Sequence, residues 1–183
     1  EEDWEELEDI DMETDTPKKM IEKSETEKGK TDFITPNKPM YRIFDIEDME
    51  ELKGFSGEYI VQEKYDGMRI QVHKIDNKIK VYSYNEKDIT DKCKEIVEEM
   101  KKKHFGDCIL DGELILFDGK DALHRADTIA HVFKGKYPDA KLKAHMFDIM
   151  RHNDKNIADE PLSDRLNTMF NNYSVHSSEY LNF

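Results

Sequence analysis

The stretch "EKYDGMR", residues 63–69, places Lys64 between two carboxylates, with a glycine and an arginine close behind it. Taken by itself, the stretch is also typical of a surface turn, because Asp-Gly pairs favour hairpins and Lys, Glu and Arg are easily solvated. The flanking segments, "EYIVQEKY" and "MRIQVHKI", alternate apolar and polar residues with period two, as half-buried strands do. The pattern therefore predicts that Lys64 lies at the end of a strand, and that a tight Asp66-Gly67 turn leaves room for a ligand to approach the backbone.

Outward from this turn, the chain switches between strand and helix patterns. "KIKVYSY" follows an Asp76-Asn77 turn signal as a third strand, and "CILDGELILF", 108–117, is apolar on both faces, which predicts a central strand. "KLKAHMFDIM", 141–150, predicts another strand. Helical periodicity predicts helices over 45–52, 88–105, 122–135 and 161–173. Because locally paired strands have helices inserted between them, we expect an α+β fold with largely antiparallel sheets and flanking helices.

Two of these helices allow more detailed predictions. In the helix over 88–105, Cys93 lies on the apolar stripe and is most simply a core residue. In the helix over 161–173, Ser163 is expected to cap the N-terminus. The residues of this last helix that are expected to face inward are Leu166, Met169 and Phe170.

The acidity of the chain is concentrated at its beginning. The formal net charge is −14, and residues 1–16 alone contain ten Asp or Glu and no Lys or Arg. Residues 17–32 form a polar stretch of mixed charge. We therefore expect 1–32 to be a disordered acidic tail and linker, and 33–183 to be the folded domain. An alternative is that the tail folds on a partner, because three apolar residues recur at helical intervals: Trp4, Leu7 and Ile10.

Cysteine usage and hydropathy indicate the compartment. Cys93 and Cys108 are the two cysteines, and they form neither a Cys-x-x-Cys pair nor a disulfide framework. The sequence shows no secretory signal and no apolar run near 18 residues, so we expect an intracellular protein without a membrane span. The seven histidines are scattered without metal-ligand spacing.

Several residues that could carry chemistry fall on or beside the predicted strands. "LDGEL" places Glu113 among leucines, where a carboxylate needs a partner, a metal or a ligand, and "FDIM" places Asp148 beside Phe147. Together with Lys64 and Arg69, these are the groups of a nucleotide site: a nucleophile, magnesium ligands, a phosphate contact and a ring that stacks on a base. The alternatives are a buried salt bridge for Glu113 and simple core packing for Phe147.

Five segments, in order, resemble the nucleotidyltransferase domain of ATP-dependent DNA ligases, a superfamily that includes RNA ligases and mRNA capping enzymes. "EKYDGMR" is similar to the nucleophile motif Lys-x-Asp-Gly-x-Arg, and "LDGELI" to the Asp-Gly-Glu motif. The remaining three segments are "VYSYNEKDIT" at 81–90, "AHMFDIM" at 144–150 and "PLSDRL" at 161–166. The resemblance runs from about Pro39 to Tyr180 and implies the ligase-type nucleotidyltransferase fold.

The resemblance implies a catalytic role for three residues. Lys64 would attack the α-phosphate of ATP and become lysyl-AMP, and Arg69 would contact the ribose or the incoming 5′-phosphate. Asp66 would help to shape the turn and its charge balance. The AMP would then pass to a DNA 5′-phosphate, and a 3′-hydroxyl would displace it to seal the nick. The implied partner is nicked DNA, bound through the full-length protein.

The resemblance also implies a nucleotide-binding set and a cofactor. Glu113 would bind the ribose or Mg²⁺, and Phe147 would stack on adenine. Gln62 stands where many members carry a glutamate that recognises the adenine amino group, and an amide oxygen can still accept that bond. Glu63 completes the predicted nucleotide-binding set. A cytoplasmic or nucleoid-associated location is expected for such a protein, and its oligomeric state stays open.

Two departures from the family pattern affect these expectations. Tyr84 stands where the family normally has an arginine, and Lys87 could replace that charge only as a point charge without the planar fork. The Glu-Gly and Lys-x-Lys motifs that follow the "PLSDRL" helix in the family do not occur before Phe183, the last residue. We therefore expect a fold that is incomplete at its C-terminus, in a fragment of a longer ligase or in a degenerate protein. The 183 residues alone should self-adenylate slowly or not at all.

Other functions remain open at this stage. An RNA ligase or a GTP-using capping enzyme would carry similar motifs, although "YSYNEKDIT" and "PLSDRL" favour a DNA ligase. A non-catalytic binding module on a ligase fold is a further alternative. The net charge of −14 does not favour tight DNA binding by this chain, because phosphate contacts need exposed Lys and Arg.

Overall fold

The computed structural model describes residues 48–54, 56, 59–103 and 106–183. The predicted tail and linker, 1–32, lies outside these residues, so its boundary at residue 33 stays a prediction. The helix predicted over 45–52 is only partly covered, and its described end, Met49–Gly54, is a 3₁₀ helix.

One sheet organises the described part of the chain. Its strands, in chain order, are β1 (Met68–Ile75), β2 (Lys78–Ser83), β3 (Cys108–Asp118), β4 (Asp121–Ala122), β5 (Lys141–His152), β6 (Lys155–Asn156) and β7 (Leu181–Asn182). The order across the sheet is β2-β1-β3-β5-β6, with β4 paired to β3 and β7 paired to β5. Every pairing is antiparallel except that of β5 with β7. The prediction of an α+β fold with largely antiparallel pairing is confirmed, and β3 is central as expected.

Three α-helices accompany the sheet in the described residues. They are α1 (Lys94–Lys102), α2 (Arg125–Lys134) and α3 (Leu162–Tyr173). Shorter 3₁₀ helices span Thr90–Lys92 and Ser174–His176. Side chains from the α-helices and from β1, β2, β3 and β5 share one hydrophobic core. Its fully buried members include Ile70, Ile96, Met100, Leu110, Leu114, Leu116, Leu142, Ile149, Met169 and Tyr173. No helix among the described residues is both long and apolar enough to cross a membrane.

Local signals at turns and helix ends account for several boundaries. Asp76 and Asn77 join β1 to β2 with φ of 48° and 62°, as a two-residue hairpin with two left-handed positions requires. α2 ends at Gly135, whose φ of 67° is the left-handed conformation that glycine adopts without strain. The predicted core position of Cys93 is confirmed, since its side chain is fully buried.

Two predictions for α3 were wrong. Pro161 occupies the N-cap position and makes no side-chain capping bond, and Ser163 lies inside the first turn. Leu166 and Met169 are buried as expected, but Phe170 is 45% exposed. The helix turns 100° per residue, so Phe170 follows Met169 off the buried stripe even though it is apolar.

The strand predicted just before the lysine is absent from the described residues. Residues 59–66 have no strand pairing, and Tyr59, Ile60 and Val61 are exposed by 55%, 46% and 57%. The alternation of apolar and polar residues was present, but a strand also needs a partner edge, and β1 is already paired on both sides by β2 and β3. The tight turn predicted at Asp66-Gly67 is also wrong, because neither residue lies in a hydrogen-bonded turn and the chain only bends at Gly67.

Candidate functional site

Gly67 is where the segment that carries Lys64 meets the sheet. A Cβ at Gly67 would lie 2.4 Å from the carbonyl oxygen of Leu114 and 2.9 Å from Cγ of Glu113. Separations this short would force the backbone of β3 to move. The glycine is therefore required by close approach to β3, and this contact fixes the chain three residues after Lys64.

Arg69 is held by a buried carboxylate that the sequence analysis did not single out. Its Nε donates to Oδ1 of Asp111 at 3.0 Å, and its Nη2 donates to Oδ2 at 2.6 Å. Asp111 is fully buried, and the Arg69 side chain is 17% exposed. A two-bond fork of this kind fixes the plane of the guanidinium. An acid on a predicted central strand, two residues before Glu113, was the signal that could have identified Asp111.

Phe147 lies beside this guanidinium. The Cζ atom of Arg69 is 5.6 Å from the centre of the Phe147 ring, within the range of a cation–π contact. Between the pairs Gly112–Met146 and Asp111–Asp148 the register shifts, so Phe147 is the extra residue of a β-bulge in β5. Bulges re-aim side chains near functional sites. Phe147 is only half-buried and, among the described residues, lies outside the hydrophobic core cluster, which argues against a pure packing role.

Glu113 is placed between the two neighbouring strands. It lies opposite Arg69 on β1 and opposite His145 on β5, and directly opposite residues in such a ladder share a face of the sheet. Burial raises the pKa of Glu113 to about 7, although Arg125 and Arg69 act to lower it. Among the described residues it makes no direct salt bridge. This half-buried carboxylate at the surface of the site would be stabilised in its charged form by an added cation.

Glu113→Gln is expected to change how stability depends on pH. The folded pKa of about 7 exceeds the ordinary value of 4.5, so the folded state holds a proton that the unfolded chain releases. Folding is therefore favoured most below about pH 4.5 and loses free energy as pH rises through 7. After allowance for solvent screening, we expect a loss of about 1–2 kcal/mol for the wild type. Urea unfolding at pH 5 and pH 8 measures it.

The control for this prediction is the comparison of Glu113→Gln with the wild type at each of the two pH values. Glu113→Gln cannot titrate, so its free energy of unfolding should equal that of the wild type at pH 5 and exceed it at pH 8. Equal stability at both pH values would show that the Glu113 pKa is not raised.

The segment before Gly67 is attached to β5 at two places. Nε2 of Gln62 donates to the carbonyl oxygen of Phe147 at 3.1 Å. The Tyr65 ring packs on His145 with centroids 4.4 Å apart. Lys64 lies between these two contacts along the chain, and its side chain is exposed. The segment that carries Gln62 and Lys64 therefore meets Arg69, Glu113 and Phe147 where β1 begins, beside the middle of β3 and β5.

The other residues predicted for the site lie at its edge. Oδ2 of Asp66 is 3.0 Å from Nδ1 of His124, just before α2, and both side chains are exposed. Glu63 is exposed and lies near Tyr65, whose pKa is raised by burial and then by the Glu63 charge. Arg125, the first residue of α2, approaches Glu113 closely enough to lower its pKa and was missed by sequence reasoning.

Asp148 is not a member of the site as the sequence suggested. Its two carboxylate oxygens accept bonds from Nε and Nη2 of Arg165 at 2.9 and 2.8 Å, and both residues are buried. The carboxylate is therefore engaged in joining β5 to α3. The "PLSDRL" segment supplies this arginine.

Tyr84, which stands where DNA ligases normally have an arginine, lies close to Arg69. The backbone N–H of Tyr84 donates to the carbonyl oxygen of Arg69 at 3.1 Å, and the Tyr84 side chain is 49% exposed. Nζ of Lys87 lies 5.7 Å from the centre of the Phe133 ring. Tyr84 therefore presents a phenol at this position, and the nearby lysine contacts a ring of α2.

Metal binding can be tested against the donor set. Across residues 48–54, 56, 59–103 and 106–183, no group of three or more His, Cys, Asp or Glu is arranged to hold a metal ion. Mg²⁺, however, is commonly held by one or two carboxylates together with substrate phosphates. The raised pKa of Glu113 marks a carboxylate that an arriving cation would stabilise, so the site fits one Mg²⁺ ligand at this residue.

Comparisons with known proteins agree with the resemblance seen in the sequence. A DNA ligase from Methanococcus aeolicus is 37% identical over 108 residues, which cover 56% of this chain and 19% of that protein. A DNA ligase from Methanocaldococcus jannaschii is 32% identical over 148 residues, which cover 77% of this chain and 26% of that protein. The chain thus spans about a fifth to a quarter of the length of these curated relatives.

Among solved structures, mycobacterial DNA ligase D complexed with ATP and MES aligns with 61% of this chain and 36% of its own, with a TM-score of 0.47 and 17% identity. The ligase domain of M. tuberculosis LigD aligns with 60% of this chain and 36% of its own, with a TM-score of 0.48 and 18% identity. The family model described as "ATP dependent DNA ligase domain" matches residues 39–181. Because this match covers most of the chain and includes all five motifs, the chain belongs to the ATP-dependent DNA ligase domain family.

Proposed function

We propose that this chain is the adenylation domain of an ATP-dependent DNA ligase and that Lys64 is its nucleophile. The amine of Lys64 attacks the α-phosphate of ATP, a phosphoramidate P–N bond forms, and pyrophosphate leaves. AMP is then transferred to the 5′-phosphate of nicked DNA, and the 3′-hydroxyl displaces it to seal the nick, in the full-length protein. The observation that carries the proposal is the meeting of the Lys64 segment, Arg69, Glu113 and Phe147 where β1 begins, beside the middle of β3 and β5. A cytoplasmic or nucleoid-associated location, where DNA is found, belongs to the same proposal.

The chemistry of the first step requires a neutral lysine. The ordinary lysine pKa is about 10.4, so the amine is mostly protonated at neutral pH. Neighbouring positive charge lowers the pKa of a lysine and exposes the lone pair. Arg69, which is paired with Asp111, lies at the end of β1 that adjoins the lysine segment, so most of the added positive charge would come with the bound cation. Mg²⁺, when bound through Glu113 and the phosphates, would neutralise phosphate charge.

The base-binding side of the site favours adenine. The half-exposed Phe147 ring offers a stacking surface beside Arg69. One N–H of the Gln62 amide is donated to the Phe147 carbonyl, which holds the side chain in place and leaves its Oε1 oxygen as an acceptor and its second N–H as a donor. An acceptor matches the 6-amino group of adenine, which donates, and not the 6-oxo group of guanine, which accepts. The Oε1 acceptor supports ATP as the nucleotide, and the comparison with GTP below tests this choice.

The test compares nucleotides directly. The chain is incubated with α-labelled ATP or α-labelled GTP and Mg²⁺, denatured, and assayed for label that stays on the protein. We expect slow accumulation over hours with ATP and at least about tenfold less with GTP, the discrimination expected from one hydrogen-bonded polar group. Stronger labelling by GTP would contradict the choice of nucleotide.

Two further readouts separate the remaining alternatives. Adenylated protein mixed with nicked duplex DNA or nicked duplex RNA should transfer AMP preferentially to the DNA 5′-phosphate. Preferential transfer to RNA would favour an RNA ligase. If ATP neither labels the chain nor raises its melting temperature at millimolar concentration, the non-catalytic binding module is the better description.

A further inference from the structure

We propose that His145 is a positioning residue that holds Lys64 in place through the ring of Tyr65. The inference rests on the proposed role of Lys64 as the nucleophile. It adds a residue that neither the family motifs nor the sequence pattern singled out, and it explains how a lysine outside the sheet is kept at a defined place.

The lysine segment needs such support because it has no strand pairing. Residues 59–66 form no ladder with the sheet, so its position depends on side-chain contacts and on the close approach at Gly67. Gln62 bonds to the Phe147 carbonyl on one side of the lysine, and Tyr65 packs on His145 on the other. Lys64 is therefore bracketed by two anchors on the same strand, β5.

The contact between the rings is well formed. Their centroids are 4.4 Å apart, and their planes are inclined by 35°. This separation is close to the lower limit, about 4.5 Å, of the centroid distances that aromatic pairs prefer. Since Tyr65 follows Lys64 directly in the chain, movement of the Tyr65 ring off His145 would also move the backbone that carries the lysine.

His145 is a rigid support for this contact. It lies in the middle of β5, opposite Glu113, and β5 is paired with the central strand β3 on that side. Tyr65, whose segment has no strand pairing, thus packs on a residue that the sheet holds in place.

In the described part of the chain, the imidazole of His145 leaves one of its ring nitrogens without a hydrogen bond at this position. Its Nε2 atom is buried and has no hydrogen-bond partner among the described residues. Burial lowers the pKa of His145, which favours the neutral ring. A buried polar atom without a partner is unfavourable, so the Nε2 atom itself contributes nothing favourable here. The contact with Tyr65 is made by the flat face of the ring. Phenylalanine should then serve the same purpose, whereas alanine should not.

Limited trypsin digestion of the full chain tests the anchor without reference to enzymatic activity. Cleavage after Lys64, at the Lys64–Tyr65 bond, is compared with cleavage at Lys136–Tyr137, the same residue pair in an exposed loop after α2. In His145→Ala, we expect the ratio of the two rates to rise about three- to tenfold, the range expected when one aromatic pair is lost from a local opening equilibrium. In His145→Phe, the ratio should return to within about twofold of the wild type.

The outcomes of this digestion are distinct. An unchanged ratio in His145→Ala overturns the proposal, and so does a His145→Phe variant that is cut as fast as His145→Ala. If His145→Ala unfolds, both bonds are cut faster, and the result for His145→Phe decides between the two explanations. A fold that requires the imidazole itself would leave His145→Phe unstable as well. A requirement for a flat ring beside Tyr65 would leave His145→Phe stable and slowly cut.

Nucleotide labelling is the second readout, and it distinguishes the role of Lys64 as nucleophile from the role of His145 as positioning residue. At saturating ATP, the rate of Lys64-dependent labelling should fall about three- to tenfold in His145→Ala, with half-saturation by ATP within about twofold of the wild type, because the base contacts remain. His145→Phe should restore most of the rate. Absence of both labelling and stabilisation by ATP in the wild type would contradict the proposed function, while the digestion ratio would still decide on the anchor. A change in half-saturation alone would place His145 in nucleotide binding and overturn the positioning role.

Discussion

Replacing Lys64 with arginine is expected to abolish the covalent labelling of this chain by α-labelled ATP, a loss of at least about a thousandfold. Arginine keeps the positive charge and a similar length, but its guanidinium stays protonated at any accessible pH and offers no lone pair for attack on phosphorus. Binding of ATP should change little, because the charge remains near the phosphates. Intact-protein mass spectrometry after long incubation at millimolar ATP measures the adduct, and a thermal-shift titration measures the binding.

Lys120→Arg is the matched control for this experiment. Lys120 is exposed in the turn between β3 and β4, and the substitution makes the same chemical change there. Labelling of this variant should equal that of the wild type. An adduct that persists in Lys64→Arg would show that another side chain is the nucleophile and would remove the central element of the proposed mechanism.

Arg165→Met is expected to destabilise the fold by about 3–5 kcal/mol, because it leaves the Asp148 carboxylate buried without its partner. Arg165 and Asp148 are 8% and 5% exposed, and two bonds of 2.9 and 2.8 Å join them. Methionine fills much of the volume of arginine, so the effect reports the unpaired charge more than a cavity. For a domain of this size the melting temperature should fall by about 6–20 °C. Urea unfolding followed by circular dichroism measures the free energy.

The double variant Asp148→Leu with Arg165→Met separates charge from shape. Replacing both members of a buried pair with apolar residues is often neutral or stabilising, so most of the lost free energy should return. Lys101→Met serves as the surface control, since its partner Glu98 is 58% exposed and such pairs contribute less than about 1 kcal/mol. A free energy of unfolding for Arg165→Met within about 1 kcal/mol of the wild type would contradict a structural role for the pair.

Much of the fold could be predicted because its signals are local. The hairpin at Asp76 and Asn77 needs only its own turn and two alternating flanks, and the buried stripe of α1 needs only its own periodicity. The strand expected over 58–65 is absent from its described part, 59–65, because pairing depends on a partner edge elsewhere in the chain. Phe170 was misplaced for a related reason, since an apolar residue beside a buried stripe can remain on the surface.

The candidate site shows the same division between local and distant information. Short motifs identified Lys64, Arg69, Glu113 and Phe147 as candidates, and their roles stay predictions. The contacts that support them depend on strand register, which a shift of one residue would reverse. The bond from Arg69 to Asp111, the packing of Tyr65 on His145 and the pairing of Asp148 with Arg165 therefore became visible only in the structure.

The residues of the Lys-x-Asp-Gly-x-Arg segment differ in what the fold requires of them. Gly67 is required by its contact with the Leu114 carbonyl, and Arg69 neutralises the fully buried Asp111, so both would be needed by a protein of this fold that had no activity. Lys64, by contrast, has an exposed side chain. Lineages that abandon adenylation are therefore expected to lose the lysine first and to keep the glycine and the arginine longest.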